Sequence, residues 1–333
     1  MPDRMRVAVI CGGTSSEREI SLKSGQAMLG QLDPGRFLAE LVDLADILAR
    51  RKWPIEKLVE KFDVAFLALH GQGGEDGRLQ GMLELFEMPY TGSGVLASAL
   101  AMDKSMAKKV YRDAGLPVAR EVVFSAVEAA AVASTEAADR VMAELGYPVV
   151  VKADSQGSTR GVQLVRDRAA FESAWGDALS FRGGILIEEF VKGREFTVPV
   201  LGGSEPQAFP VIEIVPKAAE FFTYEAKYSP GGSEEIVPAR IDAPSARALA
   251  DLGLRAHLAL GCWGVSRTDI FIREDGQPSL IETNTLPGMT AASLLPKAVL
   301  AAGWTLPQLA ASLIDWALER AALAARPEAT PAC

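Results

Sequence analysis

Two carboxylates, an amide and an arginine fall at paired positions of a predicted β-hairpin in the C-terminal third of the chain. Asp275-Gly276 is typical of a two-residue type I′ turn, in which both central residues take positive φ. If these residues form the turn, Asp269 faces Glu282 and Arg267 faces Asn284. Side chains alternate between the two faces of a strand, so all four point to the same side.

This shared face has the chemistry of a divalent-cation site beside an anion. Opposed carboxylates repel each other unless a cation lies between them, and hard oxygen donors favour Mg²⁺. Arg267 suits a phosphate group. The alternative is an ordinary solvated hairpin face, although Ile270, Ile272 and Ile281 would supply an opposite apolar face. A one-residue shift of register, which Pro278 near the turn could cause, would separate the set.

Length, charge and cysteine content limit the class of protein. The chain has 333 residues, enough for two or three domains, and its net charge of −9 argues against nucleic acid as a partner. We find no apolar run of membrane-spanning length and no signal peptide before the first strand, so we expect no membrane association. Cys11, Cys262 and Cys333 lie far apart, which predicts a cytoplasmic protein without a disulfide framework.

The first hundred residues read as a small, doubly wound α/β domain. A buried strand over 6–11 leads into a glycine loop and then into a helix that begins near Glu17. A second buried strand, 63–69, ends at His70 and the glycine-rich loop GQGGEDG. Ligands bind at the carboxyl ends of such strands, so Glu17 and His70 are candidate site residues. Alternatively, Glu17 only complements the helix dipole and His70 is structural.

The central region carries features of a phosphate and nucleotide site. Lys152 ends a predicted strand directly before a glycine- and hydroxyl-rich loop, 153–161, whose N–H groups could fold over phosphates. Lys104 opens a helix, and the strand 185–191 (ILIEEFV) with Glu195 could contact an adenine and a ribose. The alternative is that both lysines are merely solvated.

The order of these motifs resembles the ATP-grasp ligases. The resemblance rests on MDK at residue 104, VVVKADSQGSTRG, LIEEFVKGREFTV, SRTDIFI and LIETNTLPGMT. Within that group, GGTSSEREISLKSG, ALHGQGGEDGRLQGMLE, PYTGSG and YEAKY are similar to the D-alanine–D-alanine ligase family, and the similarity covers about residues 5 to 315. It implies an α/β N-terminal domain with a doubly wound parallel sheet (1–101). A two-lobed, α+β ATP-grasp fold would follow, with lobes 102–192 and 193–320, a structureless lid at 221–239 and a tail at 325–333.

The resemblance implies an activity. ATP would drive the joining of two D-alanines through a D-alanyl phosphate, with release of ADP and phosphate, to supply peptidoglycan precursors. Two Mg²⁺ or Mn²⁺ ions would take part, a monovalent cation is left open, and the protein would be a cytoplasmic homodimer. The alternatives are a ligase that makes another D-dipeptide or D-alanyl-D-lactate, and a non-catalytic, nucleotide-binding regulator.

The resemblance also implies a role for each motif residue. The metal ligands would be Asp269, Glu282 and Asn284. Nucleotide contacts would come from Lys104, Lys152, Ser158, Glu188, Glu189, Val191, Glu195 and Lys227. Glu17 and His70 would hold the first D-alanine, and Ser293 and Leu294 the carboxylate of the second. Catalytic roles would fall to Glu17, Ser158, Tyr228, Arg267 and the backbone of Gly288. Glu189 and Ala292 depart from the family pattern, where lysine and histidine are common, whereas Tyr228 favours a dipeptide over an ester product.

Overall fold

The computed structural model describes residues 4–154, 161–181, 183–217 and 232–325, and the strands in these ranges form three sheets. The first sheet is parallel, in the order β2-β1-β3. It contains β1 (Met5–Cys11), β2 (Phe37–Asp43) and β3 (Val64–Leu67), which alternate with α1 (Arg18–Leu29), α2 (Leu44–Leu48), α3 (Ile55–Lys61), α4 (Arg78–Leu85) and α5 (Val95–Met102). The predicted α/β architecture of this region is confirmed, although the sequence analysis did not identify β2.

The parallel sheet is buried on both faces, which explains the uninterrupted apolar sequence of its central strand. Val7 and Val9 pack in one core cluster with Leu309 and Leu313, which belong to the C-terminal helix of the described chain. Ala8 and its neighbours face a second cluster on the other side. The N-terminal sheet therefore depends on a helix more than two hundred residues away for part of its core.

The second sheet is antiparallel, in the order β4-β7-β5-β6. It consists of β4 (Glu121–Phe124), β5 (Val149–Ala153), β6 (Val162–Val165) and β7 (Ile185–Glu189), with α6 (Lys104–Asp113), α7 (Ala126–Ala131), α8 (Ser134–Glu144) and α9 (Arg168–Leu179) around it. Val149 and Val151 pack with Phe171 and Trp175 of α9. Residues at alternate positions, such as Val150 and Lys152, face the opposite side, where a cavity lies.

The third sheet has the order β11-β10-β8-β12-β13, and β9 pairs with β8. Its strands are β8 (Gly193–Gly202), β9 (Gln207–Ala208), β10 (Ile212–Pro216), β11 (Ser233–Ile236), β12 (Gly264–Arg273) and β13 (Pro278–Asn284). The remaining helices are α10 (Ala243–Ala259), α11 (Leu294–Ala301) and α12 (Leu306–Ala324). In the described part of the chain, no helix is both long and apolar enough to span a membrane.

The predicted structureless stretch 221–239 is wrong at its C-terminal end. Residues 233–236 form β11, which pairs antiparallel with β10 as the edge strand of the third sheet. Ile236 pairs with Glu213 and Ser233 with Pro216. The glycines and prolines of this region favoured a loop interpretation, and a strand of only four residues is too short to show a periodic sequence pattern. The rest of the predicted lid, up to residue 231, lies outside the described residues.

Candidate active site

Two cavities lie on either side of the β12–β13 hairpin and share part of their walls. The larger, of about 450 Å³, lies between the second and third sheets, and we call it the sheet cavity. The smaller, of about 370 Å³, lies between the N-terminal loops and the segment after β13, and we call it the loop cavity. Lys104 and Glu282 line both cavities. Ligands in the two cavities can therefore meet at these two side chains.

Each predicted site residue that the structure describes lines one or both of the two cavities. The sheet cavity is lined by Lys104, Lys152, Glu188, Glu189, Val191, Glu195, Asp269 and Glu282. The loop cavity is lined by Glu17, His70, Lys104, Arg267, Glu282, Asn284, Gly288, Ser293 and Leu294. Three further predicted residues, Ser158, Lys227 and Tyr228, lie outside the described residues.

The predicted pairing of the hairpin is confirmed at the site but not at the turn. Asp269 pairs with Glu282 and Arg267 with Asn284, as expected. The turn is not type I′, because only Gly276 has positive φ (+82°) and the loop spans residues 274–276. That loop shifts the register by one residue, and a bulge after Asp269 shifts it back. The two irregularities cancel before the chain reaches the paired carboxylates.

The same bulge corrects a second expectation about this hairpin. Ile281 was predicted on the apolar face opposite to the carboxylates, yet it lines the sheet cavity beside Glu282. The extra residue in β13 breaks the two-residue alternation at this point. With Phe271 of β12, Ile281 gives the sheet cavity an apolar wall that the sequence analysis did not identify. Such a wall suits a flat, largely apolar group such as a nucleobase.

The polar face of the hairpin is a network of opposite charges. Arg267 donates to both oxygens of Asp269, each at 3.0 Å. Burial would lower the pKa of Arg267, but the charge and hydrogen bonds of Asp269 outweigh it and raise that pKa further. Lys104 Nζ lies 3.4 Å from Glu282 Oε2. The guanidinium of Arg267 and the amino group of Lys104 therefore lie next to the two carboxylates.

The donor set fits a divalent cation only if a ligand completes it. Within the ranges that the structure describes, no group of three or more His, Cys, Asp or Glu side chains is arranged to hold a metal ion. The hairpin offers two carboxylates and the amide oxygen of Asn284, which already accepts the N–H of Leu286 at 2.9 Å. Mg²⁺ is commonly held by one or two carboxylates together with substrate phosphates. Asp269, Glu282 and Asn284 fit that pattern.

Lys152 of the sheet cavity is held by a buried carboxylate. Lys152 Nζ contacts Glu188 Oε2, while Glu188 Oε1 accepts from Lys108 of α6. Burial would raise the pKa of Glu188, but the charges of the two lysines lower it to about 2. The Glu188 carboxylate is thus ionised at neutral pH. Glu188 was expected in the adenine pocket, and its pairing with Lys108 was not predicted from the sequence.

Glu189 is also an ion-pair residue. Its carboxylate accepts from Arg120 Nε at 2.9 Å and contacts Arg273 of β12. Burial would raise the pKa of Glu189, but the hydrogen bonds of both arginines lower it. The two arginines explain how an acidic residue is accommodated at this position. Any contact of Glu189 with a base would have to share this carboxylate or use the backbone.

The two N-terminal loops converge as expected from the parallel sheet. Ser15 Oγ donates to the carbonyl of His70 at 2.8 Å, and Ser24 Oγ lies 2.9 Å from His70 Nε2. Burial lowers the pKa of His70 to about 4, so its ring is neutral at neutral pH. Glu17 is the N-cap residue of α1, but its side chain makes no capping hydrogen bond within the described chain. Glu17 instead lines the loop cavity, which favours the ligand-binding interpretation over the dipole interpretation.

Gly71 allows these loops to approach each other closely. Its φ is +77°, and a Cβ there would lie 2.6 Å from Glu17 Oε2. A larger residue would be strained by the left-handed backbone and would displace the Glu17 carboxylate. The residue after His70 is therefore a glycine because the Glu17 side chain occupies the space beside it.

Glu75 is a site residue that the sequence analysis missed. It lines the loop cavity, and its Oε2 accepts from the N–H of Gly71 at 2.5 Å. Its Oε1 is buried and has no hydrogen-bond partner among the described residues. Burial, with repulsion from Glu17, raises the pKa of Glu75 to about 8. The sequence feature that could have indicated Glu75 was its position in the GQGGEDG loop, five residues after His70.

The far end of the loop cavity is formed by the start of α11. Ser293 is the N-cap residue and Leu294 the first helical residue, so backbone N–H groups of the first turn point toward the cavity. Ser293 Oγ lies 2.9 Å from Thr290 Oγ1. A Cβ at Gly288 would lie 2.8 Å from Ser293 Oγ, so a glycine fits where the backbone passes this close. The arrangement suits a carboxylate.

Family models match most of the chain. The model described as D-ala D-ala ligase C-terminus matches residues 110–315, and the D-ala D-ala ligase N-terminus model matches residues 46–93. The D-alanine–D-alanine ligase of Pelotomaculum thermopropionicum is 42% identical over 323 residues, which is 97% of this chain and 99% of that protein.

Solved structures of this kind also superpose on most of the chain. The D-alanine–D-alanine ligase from Bacillus anthracis complexed with ATP matches with a TM-score of 0.80 at 31% identity, covering 96% of this chain and 99% of that one. VanG D-Ala:D-Ser ligase from Enterococcus faecalis matches with a TM-score of 0.81 at 30% identity, covering 95% of this chain and 100% of that one.

Proposed function

Because the chain belongs to the D-alanine–D-alanine ligase family, we propose that it joins two D-alanines at the expense of ATP. One observation carries the proposal: the sheet cavity and the loop cavity meet at Lys104 and Glu282. ATP in the sheet cavity would direct its γ-phosphate to this junction. An amino acid in the loop cavity would present its carboxylate there.

In the sheet cavity, Lys104 and Lys152 supply the positive charge for the phosphates. The apolar wall of Phe271 and Ile281 receives the adenine, together with the backbone near Val191. Glu195 on β8 accepts from the ribose hydroxyls. A divalent cation held by Asp269, Glu282 and Asn284 would neutralise charge on the phosphates.

In the loop cavity, the residues orient the first D-alanine. Glu17, with Glu75 behind it, accepts from the ammonium group, whose positive charge favours the ionised form of the Glu75 carboxyl. The carboxylate of this amino acid attacks the γ-phosphorus, the bond to the β-phosphate oxygen breaks, and ADP and an acyl phosphate are formed. Neutral His70 fixes the loop that holds Glu17 in place.

The second D-alanine binds with its carboxylate at the start of α11, near Ser293 and Leu294. Its deprotonated amine attacks the acyl carbon, the carbon–oxygen bond to phosphate breaks, and the nitrogen gives up one proton to the leaving phosphate, so that the dipeptide and hydrogen phosphate are released. Arg267 and the N–H of Gly288 stabilise the negative oxygen of the tetrahedral intermediate. The catalytic roles expected for Ser158 and Tyr228, and the nucleotide contact expected for Lys227, remain predictions.

The product would serve as a peptidoglycan precursor, and the cytoplasmic, homodimeric state implied by the resemblance remains a prediction. A second candidate is a ligase for a different D-dipeptide, because the VanG ligase, named for D-serine, matches with a TM-score as high as that of the D-alanine enzyme. The two products differ by one hydroxyl group on the second residue, so the overall fold does not separate them.

The experiment is an assay of ADP release with ATP and Mg²⁺ across D-alanine, D-serine, D-lactate and L-alanine. When D-alanine is the only amino acid added, we expect ADP release and the formation of one D-alanyl-D-alanine for each ADP. We expect no ADP release with L-alanine. Preference for D-serine or D-lactate as the second substrate, measured in mixtures with D-alanine, would assign the alternative ligase. ATP binding without D-alanine-dependent ADP release would instead indicate a regulator.

A further inference from the structure

Five side chains of alternating charge run beneath the floor of the sheet cavity. Arg112 contacts Glu121 Oε1, and Glu121 Oε2 lies 2.9 Å from Lys108 Nζ. Lys108 contacts Glu188 Oε1, and Glu188 Oε2 contacts Lys152. We call these residues the charge row. Of its members, Lys152 and Glu188 line the sheet cavity, whereas the Lys108 side chain is completely buried behind them.

The register of the second sheet makes Lys108 necessary. Strands β4 and β7 place Glu121 directly opposite Glu188, so two carboxylates face each other on the same side of the sheet. Like charges at directly opposed positions destabilise a sheet. The Lys108 ammonium touches both carboxylates and removes this repulsion. Such a buried charge is tolerated only when it is paired in this way.

Lys108 also determines how much of Glu188 is left for Lys152. With Lys108 in place, one oxygen of Glu188 belongs to Lys108 and the other to Lys152. Without the Lys108 charge, both Glu188 oxygens and the repelled charge of Glu121 would act on Lys152. The ammonium would then be drawn toward the floor of the cavity and away from a ligand.

Building on the proposed function, we propose that Lys108 is a positioning residue of the nucleotide site: it neutralises Glu188 so that Lys152 keeps surplus positive charge for the phosphates of ATP. Lys108 follows Lys104 by one turn of α6, on the same side of that helix. Its ion pair with β7 therefore also fixes the helix that carries Lys104 to the junction of the two cavities.

The first test is Lys108→Met, with ATP affinity measured by direct titration and the KM values measured by ADP release. We expect the Kd and KM for ATP to rise about tenfold or more, while the KM for D-alanine changes little. Lys108→Arg, which keeps the charge, should retain most of the affinity. Lys109→Met is the matched control, because Lys109 is the exposed neighbour on the same helix. Unchanged ATP affinity in a folded Lys108→Met protein would overturn the proposal.

The decisive test separates charge balance from packing. Adding Glu121→Gln to Lys108→Met removes one of the two carboxylate charges that would act on Lys152, so the double variant should regain part of the lost ATP affinity. If Lys108 acted only through packing, removing the charge of Glu121 would leave the ATP affinity of Lys108→Met unrestored, and that result would overturn the proposal.

Glu121→Gln alone covers the case in which Lys108→Met does not fold. This change leaves the Lys108 charge to act on Glu188 alone. Lys152 should then have more positive charge available for ATP, and ATP should bind more tightly; weaker binding would contradict the proposal. These titrations need no D-alanine. Failure of the proposed ligase activity, seen in the wild-type protein as no D-alanine-dependent ADP release, is therefore distinguishable from failure of this inference.

Discussion

Replacement of Glu282 by Gln is expected to lower kcat about 100- to 1000-fold while the chain stays folded. Glu282 lies at the junction of the two cavities, pairs with Asp269 across the hairpin and neighbours Lys104 at 3.4 Å. The glutamine amide keeps the shape of the Glu282 side chain but removes its negative charge. That charge would help to bind a divalent cation and pairs with Lys104. Asp269→Asn should cause a similar loss, because it also breaks the two-pronged contact with Arg267.

The measurement is steady-state ADP release, with circular dichroism as the check on folding. Asp275→Asn, an exposed change at the tip of the same hairpin, is the matched control and should leave kcat unchanged. A chelator should abolish turnover in the wild-type protein, and added Mg²⁺ or Mn²⁺ should restore it. Near-normal turnover by either hairpin variant would show that this face does not form the metal site.

Glu17→Gln is expected to raise the KM for the first D-alanine about 10- to 150-fold, with little change in the KM for ATP. A charged hydrogen bond to an ammonium contributes about 1.5–3 kcal/mol, which corresponds to that range. Glu17 lines the loop cavity but not the sheet cavity, so its replacement should leave the affinity for the nucleotide unchanged. With the amine fixed at Glu17 and the carboxylate at the junction, the methyl group has one permitted direction, which excludes L-alanine.

Glu19→Gln is the matched control for this prediction, because Glu19 is an exposed carboxylate in the first turn of the same helix. If Glu17 acted only on the helix dipole, both variants would show the same small loss of stability and normal kinetics. A rise in the KM for ATP alone would assign Glu17 to the nucleotide and contradict the proposed loop cavity ligand.

The hairpin shows how far local sequence patterns determine the site. The alternation of polar residues around Asp275-Gly276 predicted which side chains share a face, and the pairing of Asp269 with Glu282 is confirmed. The turn type was wrong because a three-residue loop with one glycine at positive φ satisfies the same sequence. The compensating bulge after Asp269 has no sequence signal of its own, so the correct register was reached by two errors that cancel.

Long-range contacts account for what the sequence could not predict. Lys108 and Glu188 are 80 residues apart, and their pairing depends on how α6 packs against the second sheet. Glu75 stood in a loop already recognised as functional, but its raised pKa depends on burial that only the fold creates. By contrast, the strand–loop–helix pattern at Glu17 and the strand end at His70 were sufficient to predict that these two loops converge, because parallel strands bring their carboxyl ends to one edge.

In the proposed mechanism, the two cavities meet so that the carboxylate of one D-alanine is phosphorylated by ATP. The most direct test is to supply D-alanine with an oxygen isotope label in its carboxylate and to analyse the released phosphate by mass spectrometry. Attack on the γ-phosphate followed by displacement by the second amine predicts one labelled oxygen in each phosphate released with dipeptide. Unlabelled phosphate accompanying the same amount of dipeptide would contradict the acyl phosphate and, with it, the proposed role of the cavity junction.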